Sequence, residues 1–530
     1  MTQILRYSAG TDSGRAAFQA EFSPDCGVLR LRAELPAGIL EDAAAELPWG
    51  MGEDERLFMN GYQTWTHCPE MGKRDRIRGV DQVPGPIRRH YGLDRYGDYH
   101  FVSYSGKKGR SHGFSYCYFR KGDTYRLIGS LDETPGYTIF AYDSAAEKLT
   151  IRRDCAGVRH EGGQFPAFDL FFAQGSEKAV FDAWFAAMGC KARQAPRLTG
   201  YSSWYNRYQN INAVSVREDL EGYRKVLPKG GLFQIDDGWE PAVGDWLEAD
   251  AAKFPDGLKG FVEECHGDGL LAGLWLAPFV CETKSSVYRD HPDWLLRVNG
   301  ESWYCGCNWS GFYALDIDNP EVQAYLKQAF RRVLEEWGFD LVKLDFLYAV
   351  APFGTEGESR AARMGRAVEL LRQWCGDKLI LGCGVPLMPC FGVVDYCRIG
   401  CDVSLSWDDK WFMRLIHRER VSTRQSIDNT IFRRQLNGRA FGNDPDVFLL
   451  RDENCTLTPA EKQKLAAANG CFSQLLLCSD PVERYSPENR ERYAWVQRLF
   501  AQAEDVQVEA DKGLAIRFRL DGKNYAIRIR

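Results

Sequence analysis

"PEVQAYLKQAFRRVLEEWG" fills residues 320–338, and "FDLVKLDFLY" follows without a gap at 339–348. The first segment is amphipathic at helical spacing, with Pro320 at its first turn and Gly338 at its end, where helices start and stop. The second is a short apolar run of the kind that forms a buried strand. A helix running straight into a buried strand is half of a βαβ unit, and the rhythm recurs on both sides. Apolar runs lie at 200–205, 231–239, 270–279, 339–348, 378–387, 395–405, 445–450 and 473–480, with helical patterns between several of them. Eight such runs predict an α/β fold, a (β/α)8 TIM-type barrel. A doubly wound sheet also alternates this way, but no GxGxxG opens a helix after a strand.

The flanks read differently. Before the barrel, short alternating segments such as "YHFVSYS", "GFSYCYF", "TYRLIGSL" and "GYTIFAY" are separated by "GKKGRSHG", "RKGD" and "DETPG". That spacing predicts an N-terminal β-sandwich over residues 1–190. The polar stretch "GCKARQAPRLTG" (189–200) reads as a linker into a catalytic barrel at 191–485. At the end, "VQVEADKGLAIRFRLDGKNYAIRIR" alternates again and turns at "LDG", which predicts a small C-terminal β domain over 486–530.

With 530 residues the chain exceeds one ordinary core, in keeping with this division. The net charge of −6 argues against nucleic-acid and anionic-membrane partners, which need clustered Lys and Arg. The locally basic run "RLIHRERVSTRQ" (414–425) is interleaved with apolar residues and reads as a helix with a solvated face. The first residues lack the basic and apolar regions of a signal peptide, and no apolar stretch is long enough to cross a bilayer. Seventeen cysteines, an odd and scattered set, suit a reducing cytoplasm better than a disulfide framework. "YCGCNW" (304–309) has a single residue between its cysteines and no second Cys/His pair, so neither a metal nor a cofactor is expected. Fifteen tryptophans are many, and a flat indole face suits a sugar ring.

Charged residues inside the apolar runs carry the chemistry. Lys343 and Asp345 are two apart, hence on one face of an extended chain, where burial is costly without partners. Asp236 and Asp237 end the second run in "DDGW", and the sixth holds Arg398 with Asp402 four residues on. Singly these are a solvated turn, a local ion pair and a loop-closing salt bridge. Together they bring four carboxylates to the carboxyl ends of barrel strands, the face that bears active sites. Two carboxyls across a pocket can run glycoside hydrolysis, one attacking the anomeric carbon and one donating a proton to the leaving oxygen. Lys343 would favour the ionised form of the nucleophile and donate to sugar hydroxyls.

These segments resemble glycoside hydrolase family 36 α-galactosidases, of clan D. "APFVCETKSSVYRDHPDWLL" (277–296), "YALDIDNPEVQAYL" (313–326), "KLDF", "RIGCDVSLSW" and "NTIFRRQLNGRAFGNDPDVFLLR" (429–451) follow in the family's order. "NGYQTWT" (60–66) is similar to the motif by which the family's β-supersandwich domain sends a tryptophan toward the site. The resemblance covers about 200–480 well and the first domain loosely. It implies a retaining, exo-acting enzyme releasing terminal α-linked galactose, with Asp345 as nucleophile and Asp402 as general acid/base. It gives Asp236 and Asp237 to the 4- and 6-hydroxyls, Lys343 to ring hydroxyls, Arg398 to the 2-hydroxyl side, and Trp65, Trp204 and Trp275 to the pocket walls. The stretch "LGCGVPLMPCFG" (381–392), with Cys383 as a wall residue, departs from the serine- and glycine-rich run of many larger members and looks like that of shorter ones. It borders the 2-position, which leaves N-acetylgalactosamine open as the sugar. A raffinose-synthase-like galactosyl transferase, and a sugar-binding protein with an inactive barrel, are the other readings. Members of the family are often oligomeric; the sequence carries no interface signature that marks a homo-oligomer.

Overall fold

The computed structural model describes residues 3–80, 83–411, 413–415, 417–511 and 513–530. The N-terminal region is two antiparallel sheets. Strands Gly14–Phe22, Gln3–Thr11, Gly38–Pro48, Lys148–Asp154, Tyr137–Asp143 and Arg110–Phe114 make the first, in that order across the sheet, with Arg159–His160 beside Gly38–Pro48. Gly27–Leu35, Gly163–Ser176, Thr124–Ser130, Tyr116–Lys121 and Arg56–Met59 make the second. Alternation along the strands puts Leu31, Leu47, Phe119, Phe140 and Phe172 into one shared core. The "RKGD" signal is a two-residue hairpin turn between Tyr116–Lys121 and Thr124–Ser130, with Gly122 at φ 54° as the tight primed turns require.

The barrel strands are β1 (Leu198–Ser202), β2 (Leu232–Ile235), β3 (Leu271–Leu276), β4 (Leu341–Leu344), β5 (Leu379–Gly382), β6 (Tyr396–Arg398), β7 and β8 (Leu475–Cys478). β7 comes in two pieces, Gly442–Asp444 paired with β6 and Val447–Phe448 paired with β8. All neighbours are parallel, β8 returns to β1, and the break in β7 lets the ring close. The break falls at Pro445, which has no N–H to give a ladder, and Asp446 turns the chain at φ 73°. The seventh run, expected at 445–450, therefore starts three residues earlier.

The segment that decided the fold behaves as its pattern demands, with one variation. Asn319 caps the helix Pro320–Arg331 through a hydrogen bond from the Glu321 N–H (2.9 Å), and Val322, Leu326, Ala329 and Phe330 form its buried stripe. Its last turn, Arg332–Glu336, widens to π geometry before Gly338 ends it at φ 91°.

Two expectations are corrected. Residues 487–502, expected as part of a β unit, form a helix capped by Ser486, and the three-stranded sheet starts only at Glu504. Tyr493, Val496, Leu499 and Phe500 recur at helical spacing and face the core, which overrides the β reading. The basic run 414–425 is no solvated helix. Arg418, Glu419 and Arg420 are buried in an irregular segment, and a helix begins only at Thr423. The reason is partners: Arg418 donates to the His67 carbonyl (2.8 Å), and Glu419 accepts from Thr66 (2.8 Å) and Tyr99 (2.5 Å). Ile416 in that run and Lys512 in the C-terminal run lie outside the described residues.

These contacts join the N-terminal region to the barrel. Arg433, fully buried on the helix Thr423–Phe432's C-cap, donates to Asn60 (3.0 Å), to the Thr64 carbonyl (2.6 Å) and to the Ile399 carbonyl (2.8 Å). Asn429 brackets Thr66 and Cys68 with two further bonds. The loop 60–68 is thereby pinned over the carboxyl ends of the strands.

Candidate active site

β4 ends at Leu344, and the next residue begins the site. The Asp345 N–H still donates to the Leu276 carbonyl of β3 (2.9 Å), so its carboxylate is held by the sheet. Phe346 then takes φ 53°, a left-handed conformation that costs an aromatic residue about 1–3 kcal/mol. That turn brings the Phe346 N–H onto Asp345 Oδ1 (2.9 Å), while Trp275 Nε1 donates to Oδ2 (3.2 Å). Gly384 makes room: a Cβ there would meet both the Phe346 nitrogen and the Trp65 ring at 2.9 Å. Burial pushes the Asp345 pKa up; Lys343, a hydrogen bond from Cys383 and Arg398 pull the other way without cancelling it. Lys343 thus acts in the expected direction but does not win.

The Lys343 ammonium itself meets Asp236 Oδ2 at 2.8 Å. Burial pulls its pKa down, and Asp236, with Asp345 and Cys383 behind it, outweighs burial and holds it above the ordinary lysine value. Asp236, one residue beyond β2, also accepts from Gln234 (2.9 Å) and Ser202 (3.3 Å). Asp237 Oδ2 accepts from Gln209 (2.9 Å) and Trp309 Nε1 (2.8 Å), but its buried Oδ1 has no N–H donor among the described residues. Facing Asp237 is Glu240. Burial raises both carboxyls, and at Glu240 the neighbouring Asp237 charge adds to the rise, so the two titrate as a pair with Glu240 the member that favours the proton.

Asp402 stands in the loop after β6. Arg398 reaches it at 2.8 Å, and the same guanidinium binds Asp444 and Asp446 at 3.1 Å each. Burial lifts Asp446 to about 6 despite Arg398, and Tyr205 donates to it (2.5 Å). Accessibility separates the two proposed catalytic carboxyls. The Asp402 side chain is 37% exposed, whereas Asp345 is 8% exposed.

One cavity of about 500 Å³ collects these groups. Asp236, Asp237, Lys343, Asp345, Asp402, Trp65, Trp204 and Trp275 all line it. Arg398 and Cys383 do not: both are almost wholly buried behind the wall. Arg398 is drawn back by its three carboxylates, and the Cys383 thiol is turned to Asp345. The lining also includes Trp309, Gln209, Tyr96 and Glu419, which the sequence reading did not single out. Trp309 belongs to "YCGCNW", where nothing in the local pattern sets its indole apart from the other tryptophans. Gln209 and Tyr96 sit in loops without a pattern.

Residues 202–369 match the Melibiase family. The chain is 32% identical to Alpha-galactosidase of Escherichia coli over 183 residues, 32% of this chain and 25% of that protein. It is 28% identical to Alpha-galactosidase Mel36A of Lactobacillus acidophilus over 151 residues, 27% of this chain and 20% of that one. The matched region thus spans about a quarter or less of these curated relatives. Among solved structures, TtGalA, the α-galactosidase from Thermus thermophilus in complex with p-nitrophenyl α-D-galactopyranoside, is 27% identical, with 98% of each chain covered and a TM-score of 0.75. The GH36 α-galactosidase AgaA of Geobacillus stearothermophilus shares the fold at 12% identity, with 98% of this chain and 70% of that one covered and a TM-score of 0.61. The resemblance to family 36 α-galactosidases and the barrel-with-sandwich architecture are both borne out.

Proposed function

We propose that this chain is a retaining, exo-acting α-galactosidase that releases terminal α-linked galactose from oligosaccharides by double displacement. The observation that carries the reading is the pairing of a shielded carboxylate with a more open one in a single tryptophan-walled cavity. Asp345, fixed by the Phe346 N–H and Trp275, is the nucleophile: it attacks the anomeric carbon as the glycosidic bond breaks. Asp402 gives its proton to the departing oxygen. In the second step it takes a proton from water, which attacks the anomeric carbon and frees Asp345. A residue that must exchange protons and activate water belongs on the more open side, and that is Asp402's position. Lys343, Asp236 and Asp237 meet ring hydroxyls with charged donors and acceptors.

The likeness to TtGalA over nearly the whole chain, in a complex with an aryl α-galactoside, supports both sugar and linkage. We assign the catalytic unit to 191–485, flanked by the sandwich (1–190) and the C-terminal unit (486–530). No helix among the described residues is long and apolar enough to cross a membrane. We place the protein in the cytoplasm, where its mostly buried free thiols stay reduced.

Hydrolysis of p-nitrophenyl α-galactoside followed by proton NMR tests the proposal. The α-anomer of galactose appears first if two displacements occur. First appearance of the β-anomer overturns the retaining mechanism. Faster cleavage of the α-N-acetylgalactosaminide or α-glucoside overturns the choice of sugar.

A further inference from the structure

A second groove, of about 590 Å³, lies where segment 67–78, loop 408–425 and the chain end at Arg530 come together. Nine Arg and Lys side chains line it against three carboxylates, in a chain whose net charge is −6. Its acids are already committed. Glu70 is held by Arg120 (2.7 Å), Asp75 caps the Gly72 N–H (2.7 Å), and Asp408 accepts from Ser422 (2.8 Å) and Arg420 (3.2 Å). Arg74, Arg78, Lys108 and Arg424 line the same concavity, and none has a carboxylate partner among the described residues. A solvated face spreads like charges apart. Here three separate parts of the chain turn them into one hollow; Arg414 and Arg420 meet Asp408 and Arg530 meets Asp428, while the four cations without a carboxylate repel one another, which a bound anion would relieve.

We propose that this groove binds a phosphate group, free or as a phosphate ester. Guanidinium forks match the paired oxygens of phosphate, and the volume fits a small molecule rather than a nucleic acid or a membrane surface. The groove is also connected to the catalytic cavity, since His417 and Arg420 line both. Among the described residues buried Arg420 Nε and His417 Nδ1 have no hydrogen-bond partner, and both side chains stand on the wall between the two hollows.

Calorimetry and thermal melts of the full chain with inorganic phosphate and pyrophosphate, against chloride at matched ionic strength, test the site. Saturable binding and a raised Tm are expected, with pyrophosphate tighter. The double substitution R74Q/R424Q touches two exposed side chains outside the catalytic cavity; it should melt normally without anion and bind phosphate at least tenfold more weakly. An equal response to chloride, or unchanged phosphate affinity in the double variant, overturns the proposal. A second arm identifies the source of the phosphate. If an α-galactoside with a phosphate ester on its aglycone has kcat/KM at least tenfold above a neutral one, and R74Q/R424Q removes the advantage, the group belongs to the substrate. Equal kcat/KM for the two, with phosphate binding retained, identifies a free anion.

Discussion

Replacing Lys343 by Met keeps most of the aliphatic stem and removes the charge that holds two carboxylates in different ways. The direct partner is Asp236, 2.8 Å away, with both side chains at least nine-tenths buried. At an effective dielectric constant of about 20 the gross attraction at that distance is about 6 kcal/mol. Desolvation offsets part of it, and removing one partner of a buried pair typically costs about 3–5 kcal/mol. Asp345 feels the same change differently. Burial already raises its pKa, and Lys343 is the largest influence opposing that rise. Without it the carboxyl holds its proton to higher pH, and the nucleophile must be ionised to attack. The acid limb of kcat/KM on p-nitrophenyl α-galactoside should therefore move to higher pH, each unit reflecting about 1.4 kcal/mol. Urea melts at several pH values and a pH–rate profile read the two effects separately. Lys343→Met/Asp236→Asn, which removes both charges, should recover part of the stability but not the acid limb. An acid limb that stays put or moves to lower pH in Lys343→Met refutes the electrostatic reasoning.

Asp345→Ala should abolish turnover while leaving the melting transition and galactose binding largely intact; near wild-type rate ends its role as nucleophile. Asp402→Ala should retain more activity on activated aryl galactosides than on raffinose, because a good leaving group needs little protonation, and equal losses on both would argue against the acid/base role. Asp237→Asn turns an amide toward the Gln209 and Trp309 donors and should weaken galactose inhibition by about 1–3 kcal/mol, visible as a raised inhibition constant. Glu133, buried in the sandwich, has its pKa raised to about 7 by burial, so the unfolded chain binds fewer protons than the native one between about pH 4.5 and 7. Stability then falls across that window by about 3 kcal/mol and stays lower above it. Glu133→Gln, which can still accept from the Thr138 N–H and meet Ser115, should melt above wild type at pH 8 and lose the advantage by pH 5.

The barrel was legible because its signals are local. A capped amphipathic helix followed by an apolar run needs no distant information, and all eight runs overlap their strands. The seventh run catches only the second half of β7, because Pro445, where its apolar pattern begins, marks the break in that strand and not its start. The helix Pro487–Gln502 was equally readable from Tyr493, Val496, Leu499 and Phe500; the strong alternation after residue 504 drew the β reading too far back. The run 414–425 failed for a different reason. Interleaved charge describes a solvated helix or a buried wedge equally well, and the partners that decide between them, His67, Thr66 and Tyr99, lie more than three hundred residues away.

The site divides along the same line. Lys343 and Asp345 announce themselves because two charges within an apolar strand demand an explanation, and Asp236, Asp237 and Asp402 do so by sitting where strands end. Arg398 stands out equally, but its place depends on Asp444 and Asp446, which follow it by more than forty residues: Asp444 is its register partner in the β6–β7 ladder, and Asp446 reaches it from beyond the break at Pro445. A guanidinium shared among three carboxylates cannot also reach into the cavity. Residue type alone registers a charge at a strand end; whether that charge faces substrate or anchors the residue that does is set by how many counter-charges the fold brings behind it. For Asp345 that count is small and the cavity is in front; for Arg398 it is three, and Asp402 is the side chain it presents.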